Sequence, residues 1–356
     1  MPERPSTSLR IRVALAIGLA VAVFVFALQS RHPRILAYDW TFHWRAARAV
    51  FDGLNPYLVV VPSGPYPFSY YWFYPLPSVF MALPTALLPA VWSSALTVGV
   101  ASALLSFAVS RDDFSRLPIF LSAQFMIGAA AGAAPAILLT AVIALPALQW
   151  LVVIKPNLGL AAFAARPTWR AVWGTVALCA LAFALEPAWP FYWLRQLFSM
   201  KGGDTHMVLG HLAPIMVPGG VVLALALLRW RRPEARMLFV LSLVPQTMSF
   251  HDVLPAMLVA NTFRQSLVLG LLSQTAFLLS RNEMTTQRDM ATMFHNTAPL
   301  ALWLMYVPAL VLILLRPNVG DVGKLFESLS RRLPAWARGA PGDGSEALAP
   351  AAVRAD

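Results

Sequence analysis

Apolar runs dominate this chain, and short polar stretches punctuate them. The first run, Leu9 to Gln29, is about the length of a membrane-spanning helix and follows Arg4, Arg10 and Arg12. Basic residues at such a start hold it on the cytoplasmic side. No small-residue cleavage site follows, so an uncleaved first helix is expected. A polar connection of about 30–74 comes next and is expected to emerge outside. Its first half, Asp39 to Phe51, has helical character and is expected to lie along the membrane face. Gly53 and Pro56 end that helix. Further apolar runs occupy about 75–89, 91–110, 117–131, 136–154 and 171–187. Others cover about 212–228, 237–250, 253–263, 265–280 and 297–315. Several are rich in Ala and Gly, which lets helix backbones approach closely in lipid.

The pattern predicts an all-α, polytopic transmembrane helical bundle of roughly ten to twelve spans, with juxtamembrane helices in the first outer loop. Whether 253–280 crosses once or twice stays open. The bundle is expected to fill 1–315, and 316–356 reads as a basic Pro/Gly/Ala-rich tail, partly disordered. A short amphipathic helix is expected around 319–333. A second polar excursion, about 189–211, begins as an interfacial amphipathic helix that Gly202-Gly203 breaks.

Composition sharpens this picture. Of the 356 residues, 58% are hydrophobic and only 12% charged. A soluble domain is about a quarter charged. The net charge of +11 raises nucleic acid as a partner. The arginines instead sit in short loops and the tail, as expected for a multi-pass protein of the plasma (inner) membrane. No basic patch is interleaved with exposed aromatics, so no nucleic-acid partner is expected; membrane lipids are. Cys179 is the single cysteine, inside an apolar run, and forms no internal disulfide.

Few polar residues interrupt the apolar background, and these are the candidates for chemistry. Asp39, beside Trp40, lies just beyond the first span, where a carboxylate is costly unless paired or working. His43 follows four residues later on the same helical face. The alternative is that Asp39 only caps the juxtamembrane helix. Lys155-Pro156-Asn157 interrupts the run ending at Ile154. Lys155 either snorkels to headgroups or offers a cation to a phosphate, and Asn157 is placed to donate to the same anion. His251-Asp252 divides another run, as a functional pair or as local caps of a helix break. The dense aromatic run Tyr66 to Pro75 reads as a headgroup belt or as a wall of a sugar or lipid groove. Asp204, His206 and His211 lack the spacing of a metal site, and no metal is expected. No phosphate-binding loop, dinucleotide fingerprint or nucleophile elbow occurs, and no cofactor is expected.

Four stretches resemble motifs of polyprenol-phosphate-sugar-dependent glycosyltransferases of the GT-C class, in particular family 87, the bacterial α-mannosyltransferase-like group. The first is Asp39-Trp40, Ala46-Ala47 and Gly53-Leu54-Asn55-Pro56-Tyr57. The second is Phe73-Tyr74-Pro75-Leu76-Pro77, where Leu76 replaces a proline of the family pattern. The third is Ile154-Lys155-Pro156-Asn157, followed by the turn Arg166 to Arg170. The fourth is Ser249-Phe250-His251-Asp252. They occur in the family's order over about 35–280.

The resemblance implies a hexosyltransferase whose donor is a sugar on a polyprenyl phosphate, mannose favoured. The partner on the other side is an extracytoplasmic lipid or glycan acceptor. It implies inversion in one displacement, with Asp39 as general base. Lys155, with His251 and Arg45, would stabilise charge on the departing phosphate. His43, Asn157 and Asp252 would support them. The alternative is a transporter or flippase for a lipid-linked or small anionic substrate, which would also hold rare charges at broken helices. A non-catalytic scaffold, with Asp39 only a cap, is the third reading.

Overall fold

A computed structural model describes residues 4–32, 38–68, 71–199, 213–248, 251–286 and 290–320, together with Val322, Leu333, Pro334, Arg338 and Gly339. Among these residues the regular structure is helical and no strand occurs. The later part of the 189–211 excursion, the residues Ser249 and Phe250, and most of the tail with its expected helix lie outside the described residues.

The helices are α1 (Thr7–Arg31), α2 (Tyr38–Phe51), α3 (Pro56–Val59), α4 (Ala90–Val109), α5 (Ala123–Ala131), α6 (Ala134–Ala144) and α7 (Pro156–Ala165). They continue as α8 (Trp169–Leu185), α9 (Trp189–Ser199), α10 (Pro233–Leu243), α11 (Phe263–Thr286), α12 (Met290–Ala301) and α13 (Val307–Leu314). More tightly wound 3₁₀ segments link them, the longest being Pro146–Ile154, Gly220–Arg229 and His251–Val259.

Among the described residues, three helical stretches are long and apolar enough to cross a membrane: Thr7–Arg31, Ala90–Val109 and Thr292–Leu314. A fourth is added if α8 and α9, bent by 97° at their junction, count as one broken span. This is fewer than the ten to twelve spans expected. Prolines account for part of the difference. Pro146, Pro156, Pro214 and Pro233 each open a new helical piece, because proline lacks the N–H that would continue the preceding one. The resulting helices α6 and α7 have 11 and 10 residues and reach only about 15 Å, half the hydrocarbon thickness. The run expected at 75–89 is two 3₁₀ turns, Leu76–Met81 and Leu83–Thr85. The region 253–280 divides into the 3₁₀ segment His251–Val259 and α11.

The most extensive helix contact joins α1 to α4. Small residues four apart make it possible. A Cβ on Gly18 would lie 2.8 Å from the Ala103 Cβ and from the Gly99 carbonyl oxygen. A Cβ on Gly99 would lie 2.8 Å from the Ala22 Cβ and from the Gly18 carbonyl oxygen. This reciprocal seam gains dispersion contacts that bulky residues would block. Helix α4 packs next on α6, every residue of which is buried, so α6 forms the middle of the core.

Polar groups gather at two ends of the short helices. At one end, arginines bind the carbonyls that helix C-termini leave unpaired. Arg236 donates to Ala164 and Ala165 at the end of α7, at 2.8 and 2.7 Å. Arg316 and Arg116 donate to Val259 and Ala260, each at 2.6 Å. Arg229 donates to Leu314 at the end of α13, at 2.9 Å. Buried Glu234 anchors this layer by pairing with Arg232 at 2.7 Å and Arg316 at 3.0 Å. The other end of α7 carries Lys155, and the other end of His251–Val259 carries His251.

The α1–α4 seam yields a test. Gly99→Leu is expected to destabilise the protein by about 1–3 kcal/mol through overpacking. Val100→Leu, at a position 52% exposed on the same helix, is expected to be neutral. Thermal unfolding of both variants in detergent measures the difference.

Candidate functional site

The first turn of α2 presents Asp39. Directly behind it Trp40 is fully buried and donates from Nε1 to Ser93 Oγ at 2.8 Å. Gly132, with a φ of 75°, lets the chain pass close by: a Cβ there would sit 2.8 Å from the Trp40 Cβ. Lys155 precedes Pro156, and the clash with the proline ring holds it extended, at φ −137° and ψ 92°. That kink separates the 3₁₀ segment Pro146–Ile154 from α7 and makes room for the lysine side chain. His251 and Asp252 open the 3₁₀ segment His251–Val259. On α5, Gly128 leaves space for the imidazole, since a Cβ there would come 3.0 Å from the His251 Cβ.

These three breaks meet residues 73–75 and α9 at one cavity of about 330 Å³. Asp39, Lys155, Asn157, Thr247, His251 and Asp252 supply its polar lining. Phe73, Tyr74, Trp193 and Leu197 form its apolar wall, with Pro75, Pro156 and Pro245. Lys155 Nζ lies 2.6 Å from Asp252 Oδ1, and both side chains are buried. The other Asp252 oxygen accepts from the main-chain N–H and the hydroxyl of Thr247, each at 3.1 Å. His251 Nε2 lies 3.1 Å from Asp39 Oδ2, 3.6 Å from Asp252 Oδ1 and 3.5 Å from Lys155 Nζ. A carboxylate at Nε2 fixes the proton of a neutral imidazole on that nitrogen, so His251 donates to Asp39. The Asp39 side chain is 28% exposed, whereas those of Lys155, His251 and Asp252 are under a tenth exposed.

The other sequence candidates take different places. His43 is fully buried behind Asp39, against Trp72 and Tyr74, and donates from Nδ1 to the Asp39 carbonyl at 3.1 Å. It therefore steadies the first turn of α2 through the main chain. Burial lowers its pKa from 6.5 to about 4. Asn157 lines the cavity and donates from Nδ2 to the Pro245 carbonyl at 3.2 Å. Arg45 does not reach the cavity. Its guanidinium lies over the Phe68 ring at 5.6 Å and donates to the Thr41 carbonyl at 3.4 Å. Asp204, His206 and His211 lie outside the described residues.

The aromatic wall is held by the end of the first loop. Asn55 Oδ1 caps the N–H of Tyr57 at 2.9 Å, and Asn55 Nδ2 donates to Glu186 at 2.7 Å. The Tyr57 hydroxyl donates to the Tyr74 carbonyl, and Trp193 Nε1 to the Phe73 carbonyl, both at 2.9 Å. Trp193, Leu197, Thr247 and Gly128 are parts of the site that sequence reasoning did not single out. Trp193 belongs to the segment expected to be an interfacial amphipathic helix, and Thr247 carries no local signal.

Chemically, the cavity offers a partly exposed carboxylate oriented by an imidazole and a lysine whose charge is matched by a buried carboxylate. Among the described residues no group of three His, Cys, Asp or Glu is placed to hold a metal ion. The Lys155 ammonium occupies the space between Asp252 and His251. Comparison with protein-family models, curated proteins and solved structures finds no match to this chain.

Two tests follow from the geometry. Asp252→Asn leaves Lys155 buried without its partner and is expected to cost about 3–5 kcal/mol, while Lys155→Met with Asp252→Leu together recover most of that loss. Thermal midpoints of Asp252→Asn, of the singles Lys155→Met and Asp252→Leu, and of their double measure the coupling. His43 is held neutral in the fold, so the unfolded chain binds its proton first. Its contribution to stability is complete above pH about 6.5 and is lost as pH falls toward about 4. His43→Phe is expected to flatten the fall of thermal midpoint across that window relative to wild type.

Proposed function

We propose that this chain is an integral-membrane glycosyltransferase of the GT-C class, related to family 87. It moves a hexose, mannose favoured, from a polyprenyl phosphate to a lipid or glycan acceptor. The observation that supports this reading best is the meeting of Asp39, His251 and the Lys155–Asp252 pair around one aromatic-walled cavity. These residues come from three of the four stretches that resemble the family, and the Phe73-Tyr74-Pro75 stretch forms part of the wall.

In this reaction the acceptor hydroxyl gives its proton to Asp39 as its oxygen bonds to the anomeric carbon. The bond from that carbon to the phosphate oxygen breaks, and the lipid phosphate leaves with the electron pair. One displacement inverts the configuration. His251 orients Asp39 through Nε2. The Lys155 ammonium, whose three donors exceed the one that Asp252 takes, gives N–H groups to the leaving phosphate. The rings of Tyr74 and Trp193 offer flat faces to the sugar. In this reading the arginine-rich end faces the cytoplasm by the positive-inside rule and the cavity faces the opposite side of a multi-pass inner-membrane bundle.

The test is sugar transfer from radiolabelled polyprenyl-phosphate-mannose by purified protein in lipid, with membrane extract as the acceptor source. Wild type is expected to transfer label, and Asp39→Asn to lower the rate by about 10²–10⁴-fold while donor binding and thermal midpoint hold. Equal transfer by both removes Asp39 from the mechanism. No transfer by either, with label crossing sealed vesicles, identifies a transporter instead.

A further inference from the structure

At the arginine-rich end, most arginines are committed. Arg116, Arg229, Arg236 and Arg316 donate to main-chain carbonyls, and Arg232 pairs with Glu234. Arg264 differs. It is exposed on the first turn of α11 and makes no hydrogen bond or ion pair among the described residues. Its neighbour Gln265 is already held, accepting from Arg316 at 3.3 Å and from the Asn261 N–H at 2.9 Å.

Arg264 stands at the mouth of a groove of about 500 Å³ between α11 and α13. Val268 and Leu269 line one side, and Val307, Pro308, Val311 and Leu312 line the other. Val268 and Val311 are about half exposed, so the groove opens along its length. Helix α13 belongs to the apolar stretch Thr292–Leu314, one of the three of spanning length. A π-turn, Leu302–Tyr306, precedes it and shifts its register just before Val307 and Pro308. The shape is therefore an apolar trough with one unpaired cation at its polar end.

An amphiphile with an anionic head and an aliphatic tail matches that trough at both ends. We infer that the α11–α13 groove binds an anionic phospholipid drawn from the leaflet on the arginine-rich side. Its phosphate pairs with Arg264 as a charge-assisted hydrogen-bonded contact, and one acyl chain lies along Val268 and Val311. The groove is lined by none of the cavity residues around Asp39. The inference needs only that the long apolar helices sit in a bilayer, and it stands or falls separately from the proposed transfer reaction.

Native mass spectrometry of the full chain, released from equimolar phosphatidylglycerol and phosphatidylcholine, tests it. Wild type is expected to retain phosphatidylglycerol in preference to phosphatidylcholine. Arg264→Gln is expected to reduce that preference about tenfold, the loss of one charge-assisted contact, and Arg264→Lys to keep part of it. Val311→Trp, which fills the trough, is expected to lower retention of both lipids. Arg264 is exposed and unpaired, so its substitution leaves the fold intact, which an unchanged thermal midpoint verifies. Equal retention of the two lipids by wild type would overturn the inference, leaving only an unselective lipid annulus. So would an undiminished preference in Arg264→Gln, or a lipid-free dimer that Val311→Trp dissociates.

Discussion

The Lys155–Asp252 pair is the constraint around which the cavity end is arranged. Neither charge is tolerable alone in an apolar interior, where removing one partner costs several kcal/mol. The pair joins positions 97 residues apart. One lies at a proline kink and the other at the start of a 3₁₀ turn. Thr247 satisfies the second carboxylate oxygen, so Asp252 is fixed from three directions. With that anchor in place, His251 is held beside Asp252 and turned toward Asp39. The cavity is thus the space left where chain breaks meet, lined by the charges that those breaks expose.

The opposite end obeys the same rule with different residues. Short helices expose unpaired carbonyls, and a low-dielectric surrounding makes each one costly. Guanidinium groups, with five donors on a planar fork, close several at once. Arg236 alone reaches both Ala164 and Ala165. This gives the cluster Arg229 to Arg236 a structural duty. It also explains why an arginine at that end without a carbonyl to serve draws attention.

Some of this was legible in the chain, for physical reasons that differ from residue to residue. The helix from Asp39 to Phe51 and its stop at Gly53 follow from local signals, and Gly53 indeed takes a φ of 69°. The charges at 155, 251 and 252 stood out because a charge inside an apolar run has few bland explanations. The number of spans was not legible. Hydropathy averages across Pro146 and Pro156, whereas the backbone breaks there into pieces of half-membrane length. The direction of Arg45 was not legible, because its place on the helix face decides whether a side chain meets a cavity or the Phe68 ring. The walls given by Trp193 and Leu197 depend on the 97° bend between α8 and α9, a tertiary event with no local code.

Convergence of the first loop on the His251 segment is the central claim, and cross-linking measures it without any substrate. Asp39→Cys and His251→Cys are combined in a Cys179→Ser background and treated in membranes with a short bifunctional thiol reagent. The control pairs His251→Cys with Asp52→Cys, displaced thirteen residues, about 20 Å along the helix direction. With Asp39 Oδ2 only 3.1 Å from His251 Nε2, the first pair is predicted to cross-link efficiently and the control pair not. Absence of a cross-link in the first pair, or equal yield in both, would contradict the shared cavity.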